Sequence, residues 1–188
     1  MDLTRAAAGA LDAADPLAAF RSRFAGVADD LLYLDGNSLG RLPADTPAAV
    51  ARVVEQEWGR GLVGSWSGWV EQSRRIGDVL AAGVLGARPG EVLVSDTTSV
   101  DLYKLLVAGV DARPGRDVLV CCADDFPTDR YIVAGVAEQR GMTVREVPAH
   151  IDTGLDTDVL AAALDERVSV VVLSQVAYRS GEIGRAHV

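Results

Sequence analysis

Cysteine, histidine and aromatic residues are all scarce in this chain. Its 188 residues include two cysteines, two histidines and 5% aromatic residues. The cysteines, Cys121 and Cys122, are adjacent within an apolar run, so there is neither a disulfide framework nor the C-x-x-C spacing of many metal sites. The histidines, His150 and His187, lie far apart in the sequence, which argues against a histidine-based metal site.

Basic residues and long apolar runs are also lacking. The chain has 18 Lys and Arg against 27 Asp and Glu, a formal net charge of -9. The basic residues are scattered, which argues against a nucleic-acid partner because phosphate binding needs clustered cations. No window reaches about 18 uninterrupted apolar residues, and the first residues lack the pattern of a secretion signal. We therefore expect a cytoplasmic protein with no membrane partner.

The composition that remains is that of an ordinary globular protein. Hydrophobic residues make up 49% of the chain and charged residues 24%. These fractions exclude disorder as the main state. The length predicts one domain or a piece of a larger one.

The pattern of the chain changes near residue 90. Residues 1–90 read as helices separated by loops, with amphipathic stretches at 16–24, 43–58 and 69–85. From residue 91 to 181, short β-branched runs alternate with helical segments. This alternation predicts the α/β class, a mostly parallel sheet with helices on both faces. The predicted strands are 92–95, 118–122, 143–147 and 168–173, and the predicted helices between them are 99–109, 128–139 and 156–164.

One motif in the helical part is misleading. Residues 59–64 (GRGLVG) match the G-x-G-x-x-G pattern of dinucleotide binding, but a predicted helix precedes them where that motif requires a strand. We interpret them as a glycine-rich loop between helices. The neighbouring Trp66 and Trp69 either line a pocket for an aromatic ligand or pack in a core.

Chemistry-bearing side chains follow three of the predicted strands, where ligands collect in parallel sheets. Thr98 and Ser99 are suited either to capping a helix or to binding an anion at its N-terminus. Phe126 is suited to stacking on a flat heterocycle, with the carboxylate of Asp129 beside a nitrogen of that ring. The alternative is that Phe126 forms a hydrophobic staple at the helix start. Ser174 adds a hydroxyl at the last strand end.

Together, an anion site, a stacking ring and an acid fit pyridoxal 5'-phosphate (PLP). Four segments carry a family resemblance: 33–40 (YLDGNSLG), 96–102 (DTTSVDL), 125–129 (DFPTD) and 173–181 (LSQVAYRSG). Their order and spacing resemble the kynureninases, members of the aminotransferase-like, fold-type I PLP enzymes. The resemblance covers most of the chain.

The resemblance implies a PLP enzyme that hydrolyses L-kynurenine to anthranilate and L-alanine, or 3-hydroxykynurenine to 3-hydroxyanthranilate, in tryptophan catabolism and NAD biosynthesis. It implies a homodimer with the substrate region at the dimer interface. The implied cofactor-binding residues are Thr98, Ser99, Phe126, Pro127, Thr128, Asp129 and Ser174, and the implied substrate-region residues are Asn37, Ser38, Trp66 and Trp69.

The sequence departs from the family pattern near its end. The family's Schiff-base lysine and its Asp-x-x-His element come later in the chain and are missing here. Lys104 is the only lysine, and we interpret it as a solvated helix residue. Residues 182–188 (EIGRAHV) back-translate to a string that resembles a sequencing adapter. We expect these seven residues to be a non-native tail on a partial PLP-binding domain, and the fragment itself to be inactive.

Two alternatives stay open. The first is that the chain is part of another fold-type I enzyme, such as a cysteine desulfurase or a class V aminotransferase. Many of these enzymes stack a histidine on the cofactor ring, at the position where this chain has Phe126. The second alternative is a truncated, non-catalytic binding partner of the full enzyme.

Overall fold

The first half of the chain is helical in the computed structural model, which describes residues 4–26 and 31–184. The chain divides into two units, one ending at Val92 and the other beginning at Leu93. The α-helices of the first unit are α1 (Arg5–Ala14), α2 (Thr46–Arg52) and α3 (Trp66–Leu80). Short 3-10 turns span Ala18–Arg23 and Leu62–Ser65, and π-helical turns extend α2 and α3 over Val53–Trp58 and Ala81–Leu85.

The helical predictions for this unit are partly right. The stretches at 43–58 and 69–85 are helical, but 16–24 is a short 3-10 turn and α1 was not predicted. Helix α1 buries none of its residues. It forms from alanine-rich sequence capped by Thr4, whose hydroxyl accepts from the N–H of Ala7 at 3.2 Å.

Residues 59–64 form a loop and a 3-10 turn between helical segments, as expected. Helical residues lead into them, so the strand that the dinucleotide motif requires does not precede this loop. Leu62 takes a φ of 48° here, a left-handed conformation that favours glycine.

The second unit contains a parallel sheet, which confirms the predicted α/β class. Its elements are α4 (Thr98–Asp111), β1 (Val118–Cys122), α5 (Pro127–Arg140), β2 (Thr143–Val147), α6 (Thr157–Ala162) and β3 (Val168–Val172). The strand order is β2-β1-β3, with Val118 of β1 opposite Thr143 of β2 and Val168 of β3. Because β1 is central, all five of its residues are buried.

The predicted strand at 92–95 is wrong. The described residues place three strands in the sheet, and residues 92–95 are not among them. Leu93 is 61% exposed and Val94 is 40% exposed. An apolar run forms a strand only where another strand offers a ladder of hydrogen bonds and a layer covers its side chains.

Two clusters of apolar side chains form the core, one on each face of the sheet. Leu119 and Cys121 of β1 point to one face, where Leu106 of α4 and Val133 and Val136 of α5 cover them. On the other face, a second cluster comprises Val118, Val120, Val147 and Val168, packed under Leu155, Leu160 and Ala163 from the α6 side. The alternation of side chains along β1 therefore separates the two layers.

An ion pair joins two strands at the amino edge of the sheet. Arg167, just before β3, donates to both carboxylate oxygens of Asp117, just before β1, at 2.9 and 2.7 Å. This hydrogen-bonded guanidinium lowers the pKa of Asp117.

No helix within the described residues is both long enough and apolar enough to cross a membrane.

Candidate functional site

The N-terminus of α4 is capped by Thr97. The hydroxyl of Thr97 accepts from the N–H of Val100 at 3.3 Å. The capping role that we considered for Thr98 and Ser99 therefore belongs to the preceding residue, and these two occupy the first helical positions. Backbone N–H groups at such positions have no partner within the helix and can bind an anion.

Lys104 lies on the surface, as expected. Its ammonium pairs with the carboxylate of Asp96 and lies 3.8 Å from Asp101, and its side chain is 55% exposed. The carboxylate of Asp96 raises the pKa of Lys104. A lysine paired in this way remains protonated, which makes it a poor nucleophile for a Schiff base.

Helices α4 and α5 run side by side in the same direction. Arg140, the last residue of α5, pairs with Asp111, the last residue of α4, at 3.0 Å. Leu106, in the second half of α4, shares a core cluster with residues of the second half of α5. Since each helix has 14 residues, their N-termini lie on the same side of this unit, at the carboxyl edge of the sheet.

Phe126 stands at the start of α5, followed by Pro127 at the first helical position. Proline fits there because that residue's N–H would have no helical partner. The ring of Phe126 is 49% exposed and contacts the ring of Tyr178 edge to face, with centroids 5.3 Å apart. Thr128 and Asp129 complete the first turn.

Asp129 is a partly buried carboxylate. Burial raises the pKa of Asp129, and the negative charge of Asp125 raises it further. Among the described residues, no basic side chain makes an ion pair with Asp129. A cation bound beside it would therefore relieve an unfavourable charge.

Asp125 joins two strand ends. It is 7% exposed, and its two carboxylate oxygens accept hydrogen bonds from the N–H of Cys122 at 3.0 Å and from the N–H of Ser174 at 3.3 Å. The structure thus brings Ser174 beside the start of α5, as predicted from their positions at strand ends. Asp125 itself was missed as a functional residue, because sequence does not distinguish it from the adjacent Asp124.

The segment after β3 folds back on itself. Val176 bridges Ile183, and the N–H of Gly184 donates to the carbonyl of Gln175 at 2.7 Å. Arg179 in this segment pairs with Asp124 at 2.7 Å. Residues 182–184 of the predicted non-native tail therefore take part in a turn, whereas residues 185–188 and His187 lie outside the described residues.

A cavity of about 600 Å³ opens beside this segment. It lies between the ends of β1 and β3 and the loop before α6, and its lining includes Cys122, Asp125, Leu155, Leu160 and Ser174. Of the predicted cofactor residues, only Ser174 lines it. Thr98, Ser99, Phe126 and Asp129 lie outside its wall.

Glu182 holds the loop before α6. Its carboxylate accepts from the N–H of Leu155 at 3.2 Å. The adjacent Gly154 has a φ of 71°, and a Cβ added there would lie 1.3 Å from the Glu182 carboxylate. The positive φ favours glycine here, and a Cβ would displace the end of the Glu182 side chain.

Two predicted substrate residues lie in a fixed loop of the first unit. The hydroxyl of Tyr33 donates to the carbonyls of Asp35 and Leu39, and Ser38 donates to the Asp35 carboxylate at 2.7 Å. Asn37 lies in the turn between them and is exposed. The loop is well fixed, as its turn-forming composition predicted.

The tryptophans of the first unit differ in their surroundings. Trp69 donates from its indole N–H to Glu57 at 2.7 Å and, with Val53 and Trp58, lines an open apolar depression of about 400 Å³. Trp66 is 61% exposed and does not line it. Trp58 was missed, although its proximity in sequence to the other two tryptophans is a usable signal.

Comparison with known proteins gives a consistent picture. No family model matches the chain. It is 42% identical to a kynureninase from Pseudomonas fluorescens over 180 residues, which are 92% of this chain and 41% of that protein. It is also 42% identical to a kynureninase from Burkholderia pseudomallei (strain K96243) over 186 residues, 95% of this chain and 42% of that protein. The chain thus spans about two fifths of the length of these relatives.

A solved structure shares the fold. It is a C-DES mutant with glycine covalently linked to its PLP cofactor, with a TM-score of 0.73 and 20% sequence identity. The match covers 87% of this chain and 42% of that one. At this identity the likeness shows the fold alone, and it confirms the predicted aminotransferase-like architecture.

Proposed function

We propose that this chain, a homologue of the kynureninases over nearly its whole length, supplies part of the PLP site of an enzyme that hydrolyses L-kynurenine. The products are anthranilate and L-alanine, and 3-hydroxykynurenine gives 3-hydroxyanthranilate. We place the complete enzyme in the cytoplasm, as a homodimer in tryptophan catabolism and NAD biosynthesis. The observation that supports this most directly is the hydrogen bond from the Ser174 N–H to Asp125, which brings two candidate cofactor segments together.

The residues present fit PLP in three respects. The first turn of α4 offers backbone N–H groups and the hydroxyls of Thr98 and Ser99 to a phosphate. Half of the Phe126 ring surface is free to stack on a pyridine. Asp129 has a raised pKa and no cationic partner among the described residues, and a protonated ring nitrogen supplies the missing positive charge.

Each residue then has a defined task. Thr98 and Ser99 bind and orient the phosphate, and Phe126 fixes the plane of the ring. Asp129 holds a proton at the ring nitrogen, and Ser174 adds a hydrogen bond from β3. When bound, PLP supplies an electron sink for the carbanion that forms as the substrate loses its α-proton. We do not assign the Schiff-base role to Lys104, because it is already paired with Asp96.

In the helical unit, we propose that the loop with Asn37 and Ser38 and the segment with Trp66 and Trp69 shape the substrate region. Backbone and carboxylate partners already fix Ser38 and Trp69. The open apolar depression beside Trp69 suits an aromatic ring such as that of kynurenine.

The test starts from the source gene. A long sequencing read across the codon for Gly181 should continue into an Asp-x-x-His element and a later lysine, and the encoded protein should release anthranilate from L-kynurenine. Release of sulfur from L-cysteine without anthranilate would overturn the proposal in favour of a desulfurase. A stop codon directly after Val188 would instead favour the non-catalytic binding partner.

A further inference from the structure

Asp125 is the one charged residue that is buried among the described residues, with 7% of its surface exposed. No lysine, arginine or histidine in the described part of the chain forms an ion pair with it. A buried carboxylate is costly unless hydrogen bonds satisfy it. Here both oxygens are satisfied by backbone N–H groups, one from Cys122 and one from Ser174.

These two hydrogen bonds continue the pairing of β1 and β3 beyond the sheet. The register of the two strands ends at Cys121 opposite Val172. Past this point no residue pair joins them in the sheet, and the Asp125 carboxylate bridges Cys122 to Ser174 in its place. The Asp125 carboxylate therefore links the first residue of the segment after β3 that carries a polar side chain, Ser174, to the end of β1.

The neighbours of Asp125 hold the same segment from the outside. Asp124 pairs with Arg179, and the ring of Phe126 contacts that of Tyr178. Arg179 and the two aromatic residues are about half exposed, whereas Asp124 is 17% exposed, and an ion pair that is open to solvent on one side contributes little. The hydrogen bond from Cys122 to Asp125 is buried and the one from Ser174 is part-buried, and both are accepted by a carboxylate, the stronger kind of acceptor.

We infer that Asp125 is a positioning residue, which sets the place of Ser174 relative to Phe126 and Asp129 so that these side chains can contact one cofactor. This inference rests on the proposed function. The positioning role requires a carboxylate, because both oxygens of the side chain accept a hydrogen bond. An asparagine of the same shape has a single acceptor oxygen, so Asp125→Asn keeps the packing and loses one of the two hydrogen bonds.

The experiment uses 4-deoxypyridoxine 5'-phosphate, which has the ring and phosphate of PLP but no aldehyde, so that no lysine is needed. Its affinity for the whole chain is measured by calorimetry. Asp125→Asn should weaken binding by roughly tenfold, the effect of one lost hydrogen bond to a charged group. The matched control is Asp152→Asn, which removes the same charge from a side chain that is 80% exposed, and it should change affinity by less than about twofold.

A double-mutant cycle separates positioning from general destabilisation. Ser174→Ala should weaken binding in the wild-type chain and have almost no effect in the Asp125→Asn chain, where the serine is already displaced. Amide exchange followed by NMR should show faster exchange at Cys122 or Ser174 in Asp125→Asn and unchanged rates in Asp152→Asn. If Asp125→Asn fails to fold, Asp125→Glu serves in the same cycle, since it keeps both acceptors on a longer side chain.

The outcomes are distinguishable. If the wild-type chain binds the analogue and Asp125→Asn binds it equally well, or if the two substitutions are additive, the inference is overturned and the proposed function is not affected. If the wild-type chain binds no analogue, the proposed cofactor site is overturned, and the role of Asp125 toward a cofactor fails with it.

Discussion

The two units of the chain differ in how they are stabilised. The second unit has a buried central strand and an apolar cluster on each face of its sheet. The first unit buries only Gly77 and Ala81 among its described residues, although it is rich in leucine, valine and tryptophan. Similar apolar composition therefore gives a self-sufficient core in one unit and exposed apolar side chains in the other. Arrangement matters more than content, because a helix buries its apolar stripe only against another layer.

The largest expected effect is the loss of a core leucine in the second unit. Leu119 is fully buried in β1, and Leu119→Ala should cost about 2–5 kcal/mol of unfolding free energy, through lost burial and the cavity left behind. Leu11→Ala, in α1 of the first unit where the side chain is 67% exposed, should change stability by less than about 0.5 kcal/mol. Urea unfolding followed by circular dichroism measures both. Equal costs would contradict the contrast between the units.

Alanine substitutions at two glycines test how closely the residues of the second unit pack. Gly154→Ala should destabilise it by about 1–3 kcal/mol, because alanine strains the positive φ and displaces Glu182 from the N–H of Leu155. Gly135→Ala is the matched control in α5, where an added Cβ meets open space. It should stabilise the helix by about 0.5–1 kcal/mol. Thermal unfolding of both variants checks the opposite signs, and a shift of the same sign would contradict the close approach at Gly154.

In the first unit, the effect of replacing an exposed apolar residue by glycine should depend on the backbone conformation. Leu62 is 60% exposed at a φ of 48°, so Leu62→Gly should stabilise the chain by up to about 1 kcal/mol through relief of backbone strain. Val63→Gly, one residue on and 79% exposed without a positive φ, should destabilise it slightly by adding freedom to the unfolded chain. Urea midpoints of the two variants give the comparison. A loss of stability in Leu62→Gly would show that its side chain packs.

The smallest effect concerns acid. Asp117 has a lowered pKa in the folded chain, so its ion pair with Arg167 contributes stability above the ordinary carboxyl pKa, and this contribution is lost as the pH falls through the folded value. Asp117→Asn should thus be slightly less stable than wild type near pH 6 and equal to it well below about pH 4. Unfolding measured at both pH values tests this. Because the pair is exposed, 1 M salt should shrink the difference at pH 6, and a difference that survives salt would contradict a surface interaction.

Sequence patterns predicted the second unit well where the local pattern and the tertiary packing favour the same structure. The bounds of β1 and β2 match the predicted strands. Runs of β-branched residues that are flanked by turn residues typically form strands of a parallel sheet. The strand at 92–95 failed because its pairing depends on a neighbouring strand, which a local pattern cannot reveal.

The candidate site also has one part that the sequence predicted and another that it did not. The segments around Phe126, Asp129 and Ser174 follow strand ends, so topology alone predicted that they would meet. The capping residue was misplaced by one position, from Thr97 to Thr98 and Ser99, because three hydroxyl residues stand in a row. Asp125 was missed because its importance comes from its burial and from its contact with Ser174, 49 residues further along the chain, and a local sequence pattern records neither.

The adjacent cysteines give this chain two built-in chemical reporters. Cys121 faces the layer of α4 and α5, and Cys122 lines the cavity on the opposite face. Burial raises the pKa of the Cys121 thiol to about 11, so both its enclosure and its protonation protect it from alkylation at neutral pH. Modification at Cys122 therefore records an opening on the cavity side, whereas modification at Cys121 records separation of the helical layer. The two faces of a single strand can be followed independently in one labelling experiment, without introducing any residue.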